Sequence, residues 1–393
     1  MSAESAQKFE ALEAQASALL EYFVKAGYEP VAPSIIQPAN IFLDRIGEAL
    51  RNRTYVFTDP DGEELCLRPD LTIPSSRLYL ERHPEGRTKA RYCYNGPAFR
   101  FQAHTGDDDQ PREFRQAGIE NFGAGDACKS DAEILSLVVG ALENSGIANL
   151  HLKIGDLGLF YALLDALEIP ERWKTRLKHH YWRPETFQGL MLQLQDPAKY
   201  VDQGMAGDLI SRISIDEPVA ARKAVLEFLD SNQIPHIGER SIDEITARLL
   251  EKSQDLKAYP VPKETTELIT NYLAISGPPK AAAARIADLA NANNLDLSAA
   301  LDTFKKRNEA LTKAGINLAE AHFSAEYGRN LEYYTGFVFQ LELSELGAAG
   351  QIAGGGRYDG LLTDIGAPRP VPAIGSAIHT ERLLDIVGQR SES

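Results

Sequence analysis

Apolar residues recur at helical spacing near the start of the chain: Phe9, Leu12, Ala16, Leu19, Leu20 and Phe23 share one face, and Gly27 follows as a C-terminal cap. This pattern predicts an amphipathic helix lying on a core. Residues 28–43 read as extended, with prolines that confine them to edge or turn positions. Over residues 54–70, strand residues alternate around Asp59-Pro60-Asp61-Gly62, a hairpin signal. A helix is expected from Ser75, another over residues 130–146, a strand over 150–156 and a further helix over 156–169.

From about Pro170 the character changes. Segments 186–195, 220–231, 242–253, 281–292 and 297–315 all have helical periodicity, and Pro and Gly signals split them. Residues 170–310 therefore read as a mainly helical insertion. His179 and His180 lie beside Tyr181 and Trp182 there, but adjacent histidines do not share a helix face as an i, i+4 pair would, so no metal is expected.

Two stretches carry an unusual polar load. In residues 91–123, Tyr92 and Tyr94, then Phe99 and Phe101 beyond a Gly96-Pro97 break, lead to a tip containing Asp107, Asp108 and Asp109. Phe114, Ala117 and Ile119 return, interleaved with Arg115, Gln116 and Glu120. This pattern is a hairpin of two antiparallel strands. In residues 329–360, a strand is expected to hold Tyr333, Tyr334, Phe337, Phe339 and Leu341, and Gly354, Gly355 and Gly356 are expected to begin a tight turn.

These stretches resemble a known family. The first is similar to motif 2 of class II aminoacyl-tRNA synthetases, specifically histidyl-tRNA synthetase. RNLEYYTG (329–336) and GGRYDG (355–360) resemble that enzyme's two histidine-site signatures. LRPDLT (67–72) looks like its Leu-Arg-Pro-Glu-Gly-Thr element, and IGSAIHTERLL (374–384) like motif 3, while Pro33 sits where motif 1 has its proline. The resemblance covers roughly residues 10–160 and 315–388. It implies an α+β fold: a class II synthetase-like antiparallel sheet with flanking helices, built from residues 1–169 and 311–393 around the insertion at 170–310. It also implies a homodimer formed through the motif 1 region.

The chemistry of histidine sets what its pocket must supply: a cation for the carboxylate, an acid for the ammonium, and polar partners for both imidazole nitrogens. At family-matched positions the resemblance assigns Arg100 and Gln116 to the carboxylate side, and Asp70 and Thr72 to the ammonium. It assigns Glu120 and Tyr334 to the imidazole, with Tyr333 beside them and Tyr358 closing the pocket. Arg329 matches the family's extra arginine, which serves the α-phosphate during adenylation or, here, the amino-acid carboxylate. Asp70 stands where the family usually has Glu. An acid there also suits a helix N-terminus, a contact worth about 0.3–1 kcal/mol.

The ATP side departs from the family. Gln102 replaces the glutamate that reads adenine, three aspartates occupy the motif 2 loop, and His379 replaces a motif 3 glycine; Arg329 and Arg382 are retained. An anticodon-binding domain is not expected, since the chain ends about ten residues after motif 3. Composition agrees with this picture. The 393 residues carry a formal net charge of −15, which argues against a nucleic-acid partner. Cys66, Cys93 and Cys128 lack CxxC spacing, and no signal pattern or membrane-length apolar run occurs, so a reduced, cytoplasmic protein without structural zinc is expected, and no cofactor is expected either.

A histidyl-synthetase fold with the histidine pocket kept and the ATP side altered resembles the regulatory subunits of ATP phosphoribosyltransferase. That family implies a non-catalytic partner of a short-form catalytic subunit, a homodimer within a hetero-octamer, activation of the catalyst and feedback inhibition by L-histidine. Three other readings stay open: a histidine-adenylating ligase, a histidine sensor for another protein, and an inherited fold without ligand.

Overall fold

The computed structural model describes residues 5–391 apart from 46–52, 102–110, 182, 198–205, 235–240, 258–259, 329–330, 332 and 344–349. Arg329, Gln102, the three aspartates of the hairpin tip and Trp182 thus lie outside the described residues.

A large sheet organises the chain. In order across it run β1 (Glu29–Pro30), β5 (Ala90–Phe99), β6 (Glu113–Phe122), β12 (Ala373–His379), β11 (Gln351–Arg357), β10 (Phe337–Glu342), β7 (His151–Asp156), β9 (His322–Ser324) and β8 (Ser276–Gly277). The six strands from β5 to β7 are antiparallel throughout, while β1 joins β5 and β9 joins β7 in parallel. A second, three-stranded sheet pairs β2 (Ile36–Pro38) with β4 (Glu64–Leu67) and β4 with β3 (Val56–Thr58).

The helices form where apolar spacing predicts them. Ala6–Lys25 buries Leu12, Ala16, Leu19 and Phe23, is capped at its start by the Ser5 side chain, and is followed by Gly27 at φ +88°. Ala127–Asn144 buries Ile134, Leu135, Val138 and Leu142 and is capped by Asp126. Thr72–Arg82 follows the LRPD segment.

Contacts divide the chain into two units, residues 1–167 with 272–393, and residues 168–271. The second unit is helical, with a core of Leu209, Ile213, Ala221, Val225 and Leu250. There Asp255, 2% exposed, faces Arg172 and Arg176. The helical insertion was expected to run to residue 310, but Pro279–Ala292 and Ser298–Lys313 fall within the first unit. The reason is electrostatic and apolar: Arg307 of the second of these helices pairs with Asp131 and Asp156, and Phe304 packs edge-on against Phe323.

Three local expectations need correction. Gly96-Pro97 does not break β5, which runs through it with Pro97 opposite Arg115. Proline is tolerated because β1 pairs with β5 only at Tyr92 and Cys93, so no described strand requires an N–H from Pro97. Tyr333 and Tyr334 precede β10, which begins at Phe337. Gly354, Gly355 and Gly356 form the middle of β11, not a turn.

Candidate functional site

Strand register places the site. Residues directly opposite in an antiparallel pair share a face. Tyr94 lies opposite Gly118, Glu120 opposite Gly375, Gln116 opposite His379, and Gly375 opposite Gly356. One face of the sheet therefore carries Tyr94, Gln116 and Glu120 above Gly118, Gly354, Gly356, Gly375 and Ala377. The glycines are a floor without side chains. A Cβ on Gly375 would overlap the Glu120 Oε2 atom, and one on Gly118 would lie 2.6 Å from the Tyr94 hydroxyl oxygen. Gly375→Ala is therefore expected to drive Glu120 from its place and to cost about 1–3 kcal/mol of stability, the usual range for overpacking. A melting curve checks the cost, and an unchanged midpoint would mean that the bare floor is not needed.

Asp70 and Thr72 enter from the start of helix Thr72–Arg82. Arg68 fixes this segment: its Nε–H donates to the Pro97 carbonyl at 2.8 Å and its Nη1–H to the Pro33 carbonyl at 2.5 Å. The Asp70 Oδ1 atom accepts the Ile73 N–H at 3.2 Å, as an acid at a helix start should. The other oxygen, Oδ2, is buried with no hydrogen-bond partner among the described residues, and the same holds for Gln116 Oε1. Arg100 donates from Nε to the Pro69 carbonyl at 2.9 Å, and its guanidinium lies 4.9 Å from the Phe114 ring centre.

Glu120 is fully buried. It accepts hydrogen bonds from the hydroxyls of Tyr94, at 2.9 Å, and Tyr358. Burial pushes its carboxyl up to about 7, against hydrogen bonds from Tyr358, Thr72 and Tyr94 that hold it down. Burial also raises Asp70, partly offset by Arg100, the Ile73 N–H, Arg68 and Tyr333. Tyr333, Tyr334 and Tyr358 surround the acids, their ring centres 4.7–6.4 Å apart. Two raised carboxyls, two buried acceptors without partners and three clustered tyrosines suit a small ligand that is cationic and rich in N–H donors.

Of the expected residues, Asp70, Thr72, Gln116, Glu120, Tyr333, Tyr334 and Tyr358 are all buried, and polar or ring contacts link most of them into one cluster. Arg100 stands at its edge, next to Asp70 through Pro69. Sequence reading missed Tyr94 as a site residue, although strand register alone puts it beside Glu120. It also missed the floor glycines Gly118 and Gly375. On the ATP side, His379 faces Gln116 across β6 and β12, with its ring 5.8 Å from that of Phe114. Arg382 donates to the Gln351 carbonyl at 3.1 Å. A separate cavity of about 700 Å³, among Glu29, His83, Lys89, Arg91, Asn121 and Lys129, contains none of the site residues. Among the described residues, no group of three His, Cys, Asp or Glu could hold a metal ion, and no helix is long and apolar enough to cross a membrane.

Comparison with known proteins gives this arrangement its class. A family profile described as histidyl-tRNA synthetase matches residues 4–188 and 225–383. The fold is similar to that of an ATP phosphoribosyltransferase regulatory subunit/histidyl-tRNA synthetase from Bacillus halodurans, with a TM-score of 0.66 and 21% identity over 98% of this chain and 82% of that one. It is also similar to a histidine–tRNA ligase subunit from Alicyclobacillus acidocaldarius, with a TM-score of 0.61 and 25% identity over 100% of this chain and 97% of that one. The fold is that of the class II synthetase core. The ATP phosphoribosyltransferase regulatory subunits of Brucella anthropi and Brucella canis are each 34% identical to the chain, covering 92% of it and 94% of the relative. The chain belongs to the histidyl-tRNA synthetase-like family of ATP phosphoribosyltransferase regulatory subunits.

Proposed function

We propose that this chain is a non-catalytic regulatory subunit of ATP phosphoribosyltransferase, acting in the first step of histidine biosynthesis. It activates a short-form catalytic subunit, and L-histidine bound in the Asp70–Glu120 cluster inhibits the assembly. The observation that carries the ligand is the buried acid pair of Asp70 and Glu120: Asp70 Oδ2 lacks a donor among the described residues, and histidine supplies an ammonium and an imidazole N–H. A charge-assisted hydrogen bond contributes about 1.5–3 kcal/mol, so two or three, less ordering costs, support micromolar affinity.

The assembly is a homodimer within a hetero-octamer. Ile36 and Phe57, on one face of the small sheet next to Pro33, are 52% and 39% exposed and offer an apolar surface for the second copy. Histidine regulates by its differential affinity for active and inactive states of the complex, typically about 1–3 kcal/mol of coupling. Lack of adenylation is part of the same reading, supported by His379 on the site face of β12 where the family keeps glycine.

The test mixes the chain with a short-form catalytic subunit and follows phosphoribosyl transfer to ATP across a histidine titration. Activation on mixing and inhibition by histidine are the expected results. Failure to co-elute or activate overturns the regulatory reading. Histidine-dependent pyrophosphate exchange by the chain alone would establish the adenylating ligase in its place.

A further inference from the structure

A buried ion network lies one residue away from the ligand cluster, on the opposite side of the sheet. Arg357 ends β11 and Tyr358 follows it. Side chains alternate across a strand, so the two point to opposite faces. Tyr358 reaches Glu120 on the glycine face. Arg357 reaches the first turn of helix Ala127–Asn144. Its Nε–H and Nη2–H both donate to Asp131 Oδ1, at 2.9 and 2.6 Å. Nη2 also donates to Ser130 Oγ at 2.7 Å and to the Ala127 carbonyl at 3.0 Å, and Nη1 to Asp359 Oδ1 at 2.9 Å.

Asp131 is shared. Its Oδ2 atom accepts from Arg307 Nε at 2.7 Å, and Arg307 also pairs with Asp156. Both arginines are 4% exposed and Asp131 is fully buried. Burial alone would lower each guanidinium, but the carboxylates of Asp131 and its neighbours raise both. A buried charge cannot leave its partner without a large desolvation penalty, so Arg357 is held to a narrow range of positions. The backbone joining it to Tyr358 is pinned as well. The Thr335 N–H donates to the Arg357 carbonyl, and the Tyr358 N–H to the Ala373 carbonyl, each at 2.8 Å.

The Tyr358 ring touches Tyr333 and Tyr334 edge-on, and both come from irregular backbone before β10. The anchor with defined geometry is on the other face. We propose that Arg357, seated on Asp131, is a positioning residue that holds the Tyr358 hydroxyl on Glu120. Its consequence for ligand affinity rests on the histidine reading above; the positioning itself does not.

Arg307 is the internal control. It shares Asp131, but it stands on helix Ser298–Lys313, outside the ligand cluster. Arg357→Lys keeps the charge and loses the two-pronged contact, so the long-range field at Glu120 is unchanged. The Glu120 carboxyl, faced by Tyr94, Tyr358, Thr72, Asp70 and Tyr333, reports the result. Its titration is followed by carbon-13 NMR in the ligand-free protein. In the parent chain burial pushes this carboxyl up to about 7. Tyr358→Phe is expected to raise it by about one pH unit, because a hydrogen bond to the charged form is lost. Arg357→Lys should move it the same way by at least half as much, and Arg307→Lys should leave it in place. Should Arg357→Lys not fold, Ser130→Ala loosens the same guanidinium and is expected to give a smaller rise. No movement in the Arg357→Lys chain (or, if that chain does not fold, in Ser130→Ala), or equal movement in Arg307→Lys, overturns the proposal. Calorimetric titration with histidine then separates the two ideas: Arg357→Lys weakens binding about tenfold if both hold. If the parent chain binds no histidine, the functional reading falls, and the NMR comparison still decides the positioning.

Discussion

Glu120→Ala is expected to weaken histidine binding by about 2 kcal/mol or more, roughly thirtyfold. The substitution removes the acceptor proposed for the imidazole N–H and leaves the Tyr94 and Tyr358 hydroxyls without their shared partner. Calorimetry on the isolated chain measures it, and equal affinity would put the ligand elsewhere. The same carboxyl predicts a pH dependence. A ligand donor favours ionised Glu120, so affinity should rise about tenfold between pH 6 and pH 8, centred on its midpoint of about 7. Glu120→Gln should remove this component. In the ligand-free chain the sign is opposite for stability. The folded carboxyl holds its proton up to about 7, against 4.5 for a solvated glutamate. The native state therefore binds more protons between these values, and stability is lost as pH rises through that window, by about 3 kcal/mol. Urea melts of the parent chain and Glu120→Gln at pH 5 and 8 isolate that contribution.

Asp131→Ala should cost more, about 3–5 kcal/mol of stability, because it leaves Arg307 and Arg357 buried without the carboxylate they share. In a unit of this size such a loss lowers the melting midpoint by on the order of 10 °C. Arg307 keeps Asp156 and Arg357 keeps Asp359, which limits the loss. A change of under about 3 °C in a thermal melt would show that the network relaxes or admits water.

Much of the site was legible because its residues sit in short motifs whose spacing is local. Residues 67–72 and 91–123 place Asp70, Thr72, Gln116 and Glu120 on a helix start and a hairpin, and the hairpin register follows from alternation. The triple glycine was misread for a physical reason. Glycine permits a turn, but it also permits close approach to a strand face, and only the neighbours decide which. Here Gly356 pairs with both Val338 and Gly375, and a side chain at the latter would occupy the space of Glu120. Tyr333 and Tyr334 share the aromatic alternation of Phe337 and Phe339, yet they fall before the strand, where both reach the cluster.

The Arg357 network shows the other limit. Arg307, Asp131, Asp156 and Arg357 lie far apart in the chain, on two helices and two strands, and nothing local marks them as partners. In an acidic chain with 41 basic and 56 acidic residues, any Arg and Asp could pair. By itself the amino-acid order determined most of the elements, the class II synthetase-like core and the polar residues of the Asp70–Glu120 cluster, because period and motif spacing are properties of neighbours along the chain. Tertiary structure alone decided that Glu120 is buried under two tyrosines with its proton held to about 7. It also decided that helix Ser298–Lys313 belongs to the core and that Arg357 serves the far side of the sheet. Desolvation and ion pairing depend on which distant groups the fold brings within a few ångströms.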